Sequence, residues 1–346
     1  MHRKRAPRTP GLPPIESLSG FDWTTTTQLK FRPFKPKYHL TMALENLDPS
    51  DWIPMDKTYK DRLKLRASLL EKHHDVVLGI NNESDPRVRA AVVELYMFLL
   101  GTYLPGRYPR MFTLRDKSSS ATLENLVTGE VFPVDESVST ITALESLARV
   151  ADEDFLILLP DITTAAAAGE EEKYILEAYE TCFPAGFDTR TKLGLRLASI
   201  HDPVPHYTDK LEKSMDRFFA KLPVGRYVKR VNWGITTEPD LFAAFGGIHA
   251  SEEEEEEEKP IRSEDLDLDK TYLRCERQTL HRLPTSKALV FAYHTYMYPL
   301  QEIKDEGLGE DLAMAIDGLK EGSAPGIHMY KRGAVWGEAV KTCLRA

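Results

Sequence analysis

A chain of 346 residues, 42% hydrophobic and 29% charged, is long enough to bury a substantial core as one large domain or two. Its formal charge of -9 comes largely from the run Glu252 to Glu258; without that run the surface is nearly balanced, which leaves no electrostatic case for nucleic acid. No apolar run approaches the ~18 residues a membrane span needs, and Cys182, Cys275 and Cys343 are too scattered for a disulfide framework or a cysteine metal cluster, so a reducing, cytoplasmic setting is the default expectation.

Arg3, Lys4, Arg5 and Arg8 precede any acidic residue but lack an apolar face, so they read as a basic tail; a mitochondrial presequence is the weaker reading. Residues 10–40 interleave prolines with Phe21, Trp23, Phe31, Phe34 and Tyr38, which predicts an irregular arm laid across a folded body. Leu44–Trp52 reads as loop and Asp56–His74 as helix. Asp85 as N-cap and Pro86 as first helical residue open a helix with Val88, Val92, Leu95, Tyr96 and Leu99 on one stripe, stopped at Gly101. The region 41–109 is thus mainly helical.

After Pro109 the pattern turns to short strands at Met111–Arg115, Thr122–Thr128 and Val131–Val134, then a helix at Ile141–Val150 and a buried element at Phe155–Leu159. An alanine-rich bridge, Ala165–Ala168, leads to a predicted helix at Tyr174–Thr181. The pentapeptide His201-Asp202-Pro203-Val204-Pro205 reads as a stiff, extended strut, because each proline fixes its own φ and restricts the residue before it. Tyr207–Leu222 has helical periodicity, with Asp209 and Glu212 resembling a capping box. Arg226–Ile235 alternates with period two, the run Gly246–Asp269 reads as a solvated insertion, and Tyr272–Leu280 pairs with Lys287–Met297 as a hairpin. A helix at Leu308–Leu319 and a segment Ile327–Tyr330 close the chain. Strands, a helical middle and three closing strands match an α+β, PAS-like antiparallel sheet under a helical cover. The expected division is an arm (1–40), a helical region (41–109), the core (110–300) and a helical extension (301–346).

Two strands carry polar groups where a covered sheet should be apolar: Arg230 and Asn232 in one, Arg274, Glu276, Arg277 and Gln278 in the next. An arginine fork suits paired carboxylates. A cross-strand ion ladder on an exposed face accounts for the same pattern, and pattern alone favours it. His201 can ligate a metal through a neutral imidazole, although a histidine in a proline-rich turn is more often a hydrogen-bonded connector. Asp152-Glu153-Asp154 has an acid-x-acid form used for divalent metals, but no glycine-rich phosphate cradle accompanies it, so it reads as solvated surface.

Together, Ile200-His201-x-Pro203-Val204-Pro205, Arg217-Phe218-Phe219, Arg230-x-Asn232-Trp233 and Arg274-x-Glu276-Arg277-Gln278-Thr279-Leu280-x-Arg282-Leu283-Pro284 resemble the α subunit of haem-dependent oxidative N-demethylase, the DUF3445 family. Trp52, Asp56, Tyr59 and Tyr103-Leu104-Pro105 extend the resemblance to about residues 35–320. It implies haem b in a PAS-type cavity with His201 as axial iron ligand. It also implies oxidation of a small secondary methylamine with O2, and electrons from an FMN and iron–sulfur reductase fed by NAD(P)H. Arg230 and Arg277 become candidates for the propionates, and Asn232 and Gln278 line the site. Glu276, Tyr272 and Tyr293 are candidates for meeting the amine. A haem-PAS gas or redox sensor, and a non-haem PAS-like interaction module, are the rival readings. The chain carries no flavin motif or cluster cysteines of its own, so the electron donor is expected to be a separate partner.

Overall fold

The computed structural model describes residues 11–117, 120–163, 171–246, 248–249 and 259–346. The basic tail, the alanine-rich bridge and the glutamate run lie outside the described residues. Among the described residues the strands in chain order are β1 (Glu45–Leu47), β2 (Leu78–Ile80), β3 (Phe112–Lys117), β4 (Ser120–Asn125), β5 (Val131–Val134), β6 (Asp154–Pro160), β7 (Tyr174–Glu180), β8 (Tyr227–Thr236), β9 (Tyr272–Arg282) and β10 (Leu289–Pro299). Seven form one antiparallel sheet in the order β1-β8-β9-β10-β6-β7-β2, and β3-β4-β5 form a separate three-stranded sheet. The fold is α+β. The early strands expected to open the main sheet instead build the small one, and β6 with β7 take their place.

The segment Tyr174–Thr181 corrects one expectation: it is strand, not helix. All but one of the seven residues of β7 are buried, so no amphipathic period marked it as either element. The Leu44–Trp52 loop contains β1 and a short 3-10 turn capped by Asp48. The predicted capping box is also absent. Tyr207 enters the helical segment with no side-chain cap, and the segment divides into a π turn, Thr208–Glu212, and an α-helix, Lys213–Lys221. A final helix, Gly333–Arg345, went unpredicted although Trp336, Val340 and Leu344 keep its inner stripe.

One sheet face is closed by packed helices. Helices Tyr59–Lys72, Pro86–Phe98 and Thr140–Val150 pack there around Trp52, Phe155, Val290 and Ala292, while Leu312, Ile316, Trp336 and Val340 cover Trp233, Cys275 and Tyr296. The continuous helical stretch Pro86–Arg107 is long and apolar enough to cross a membrane, yet 67% of its most apolar window is buried in this fold. That burial marks it as a core element here.

The described residues 11–40 run without helix or long strand against the folded body. Leu18 N–H donates to the Arg107 carbonyl, and Tyr38 bridges Gly322. Lys30 and Arg32 pair with Glu306 at 2.6 and 2.7 Å. Hydrogen bonds from Arg32 and Lys30 hold the Glu306 carboxyl down to about 2. A depressed carboxylate pKa favours the folded arm fully above the ordinary value near 4.5 and ceases to do so as pH falls through about 2. Glu306→Gln is therefore expected to raise proteolytic cleavage in residues 11–40 at neutral pH to the level wild type reaches only in acid. Equal cleavage of both proteins at neutral pH would show that other contacts hold the arm.

Candidate functional site

Register explains how one face of the sheet becomes polar. Arg230 lies opposite Gln278, and Asn232 opposite Glu276. Gln278 lies opposite Tyr293, and Glu276 opposite Thr295. Directly paired residues share a face, so these six line one side, away from the Trp52 and Trp233 cores. They are tied in a row: Arg230 Nε donates to Gln278 Oε1 at 2.6 Å, and Gln278 Nε2 to Glu276 Oε2 at 2.9 Å. Glu276 and Gln278 are buried, which excludes the exposed ion ladder. Tyr293 Oη and Thr295 Oγ1 are buried, Tyr293 directly across from Asp154 on the neighbouring strand.

Helical cover reaches only one end of this face. Tyr207, Leu211, Met215 and Phe219 pack on Val228, Leu280 and Leu289, leaving the polar row beyond them. His201 stands at that border. The extended strut is corrected here: His201 to Tyr207 is a double turn, with Val204 N–H donating to the His201 carbonyl at 2.8 Å and Tyr207 N–H to the Val204 carbonyl at 3.1 Å. Two prolines exclude helix but suit a turn as well as an extended chain, and His206 completes the turn at a left-handed φ of 63°.

The turn fixes the His201 ring. Its Nδ1–H donates to the Leu197 carbonyl at 2.8 Å, and the ring stacks on Tyr207 at 4.6 Å with a 10° tilt. The carbonyl can only accept, so Nδ1 carries the proton and Nε2 keeps a free lone pair. Burial lowers the pKa to about 4, which leaves the imidazole neutral at pH 7. A carbonyl-oriented, neutral imidazole is the usual posture of a metal ligand.

Cations gather around this nitrogen. Burial pulls Lys192 and Lys331 down to about 8 and lowers Arg230, with Glu276 the carboxylate that works against all three shifts. Lys331 Nζ donates to Asn232 Oδ1 at 3.0 Å and also to the Trp233 carbonyl. Among the described residues Arg230 donates through Nε, to Gln278, and its terminal nitrogens make no hydrogen bond. His201, Lys192 and Arg230 stay in contact with solvent-sized space even though surrounding protein desolvates them. These half-buried groups border the polar row, and that cation-lined end of the sheet face is the candidate recess. A separate depression of about 280 Å³ between the arm and the helix Gly309–Gly318, lined by Arg32, Phe34, Leu308 and Met314 among others, involves none of them.

Two expected residues are not brought to this recess. Arg277 pairs with Val231 and His294 and faces the opposite side, where it donates to the Trp52 and Asp51 carbonyls at 2.8 and 2.7 Å. Adjacent strand residues cannot share a face. Tyr272 sits at the strand end, its hydroxyl donating to the Asp269 carbonyl at 3.0 Å.

Asp152, Glu153 and Asp154 correct the solvated reading, since all three are buried. Arg62 pairs with Asp152, and Arg66 bridges Asp154 and Glu180 at 2.6 Å each. His294 lies between Asp152 and Glu153 at 3.6 and 3.3 Å. Asp154, Glu180 and Cys182 come close enough together to hold a metal, but Arg66 already supplies the positive charge between the two carboxylates.

The structure is thus an α+β protein with a neutral, carbonyl-oriented imidazole at the border of a cation-lined sheet face. The chain belongs to the family described as haem-dependent oxidative N-demethylase, alpha subunit-like, which it matches over residues 43–341. That description points to a haem-dependent oxidoreductase.

Proposed function

We propose that this protein is a haem-dependent oxidoreductase that removes a methyl group from a small secondary amine. The observation that carries the reading is the His201 ring, oriented by Leu197 with Nε2 free at a cationic recess. His201 Nε2 would hold the haem iron, and the terminal nitrogens of Arg230 would hold a propionate carboxylate. Asn232 and Gln278 fix Lys331 and Arg230 through hydrogen bonds. Haem b supplies the oxidative chemistry, with O2 as oxidant; one oxygen atom leaves in formaldehyde and the other in water, which requires two electrons and two protons from outside. A flavin (FMN) and iron–sulfur reductase drawing on NAD(P)H fits that need, as does a family described as alpha subunit-like.

The main sheet supports a PAS-like core. Strands β6 and β7, a helical connection and then β8, β9 and β10 assemble in the order β8-β9-β10-β6-β7, with His201 on the connection. Haem-loaded protein given a reductase and dimethylamine is expected to release formaldehyde in step with amine consumed. Haem that binds O2 or CO but yields no formaldehyde would favour a sensor instead.

Arg230 and Arg277 separate by experiment. Arg230→Gln is expected to weaken haem retention about 10-fold, or about 1.4 kcal/mol, by removing the propionate partner. Arg277→Gln is expected to lower the melting temperature and leave the haem spectrum intact. The reverse pattern in hemin titrations would exchange the two roles.

A further inference from the structure

His249 shares the posture of His201 and lies in an irregular loop with no sequence pattern to mark it. Its Nδ1–H donates to the Ala185 carbonyl at 2.8 Å, so Nε2 holds a free lone pair, and its ring packs 4.5 Å from Tyr330. The loop is held in place. Arg274, on the polar sheet face, donates to the carbonyls of Phe183, Pro184, Asp240 and Leu241, and Ala185 bridges Ala243. Gly186, at a φ of +76°, lets the two segments close: a Cβ there would lie 2.9 Å from the His249 backbone nitrogen. His249 is half-buried, and its ring partner Tyr330 precedes Lys331, which donates to Asn232 on the polar face. Through Arg274 and Lys331 it is tied to the same polar sheet face that carries Asn232 and Glu276. His201, His249 and Glu276 do not gather closely enough to hold one bare metal ion.

Resting on the reading of the site as a haem-dependent amine oxidase, we propose that His249 is a specificity-determining residue whose Nε2 accepts the N–H of a neutral secondary amine. The recess already carries Arg230, Lys192 and Lys331 against Glu276, so an ammonium adds charge where positive charge is disfavoured, whereas a neutral amine does not. A neutral secondary amine has one N–H to give. A neutral imidazole nitrogen takes it without adding charge, and a tertiary amine has none to offer.

The test is calorimetric and spectral titration of haem-loaded wild type, His249→Ala and His249→Gln with dimethylamine and with trimethylamine. Wild type is expected to favour dimethylamine. His249→Ala should keep its Soret band and lose this preference by about 3–10-fold, the worth of one net hydrogen bond. His249→Gln, which retains an acceptor oxygen, should recover part of it. An unchanged preference in His249→Ala overturns the proposal. So does a conversion of the ferric spectrum from low spin to high spin in that variant, which would assign Nε2 to the iron. Wild type that takes up no haem would instead sink the underlying functional reading.

Discussion

His201→Ala is expected to abolish the imidazole-ligated haem spectrum and to weaken haem binding by more than the ~10–100-fold that losing an outer partner of a metal ligand costs. The reason lies in how much of the local structure converges on one nitrogen. The turn closed by Pro203 and Pro205 places the ring, Leu197 fixes the tautomer, Tyr207 fixes the plane, and burial keeps the ring uncharged. His201→Gly with added imidazole should restore the spectrum, because the space and the neighbouring cations remain. A wild-type-like Soret band in His201→Ala, without added imidazole, would remove this residue from the site.

The second large effect is structural. Arg66→Ala is expected to lower stability by about 3–5 kcal/mol, since removing one member of a buried ion network leaves its partners charged and unpaired. Arg66 is fully buried; besides Asp154 and Glu180 it binds the carbonyls of Ala148 and Glu153 at 2.8 Å each. Desolvation already drives the Glu180 pKa well above its ordinary value, and the guanidinium is what opposes that rise. Urea unfolding of Arg66→Ala beside Arg66→Ala with Glu180→Gln measures the effect, and the second change should recover part of the loss. A loss below about 1 kcal/mol would mean that water enters the network and screens it.

These two positions show what could and could not be read from the sequence. Period-two alternation placed Arg230, Asn232, Glu276 and Gln278 together because strand parity is a local property. The same parity argues against Arg277, whose adjacency to both Glu276 and Gln278 puts it on the other face. The buried acids at 152–154 carried a signal that was missed. Arg62 and Arg66 stand four residues apart, on the helical stripe that also buries Tyr59, Leu63 and Leu70, and cations on a buried stripe call for buried anions.

Other features had no local signature. The strand β7 is buried on nearly every residue, so neither period shows. His249 is placed by long-range contacts, an arginine on β9 and a glycine more than sixty positions earlier in the chain, and no spacing rule reaches that far. Tyr293 was a candidate by position, but only the fold reveals that its hydroxyl is buried beside Asp154.

Titration of the purified wild-type chain with hemin, followed by absorbance and electron paramagnetic resonance, tests the central claim most directly. The account predicts saturation at one haem per chain with a nitrogen-ligated iron signal. Hemin that binds without fixed stoichiometry, or saturates without nitrogen ligation, would contradict it.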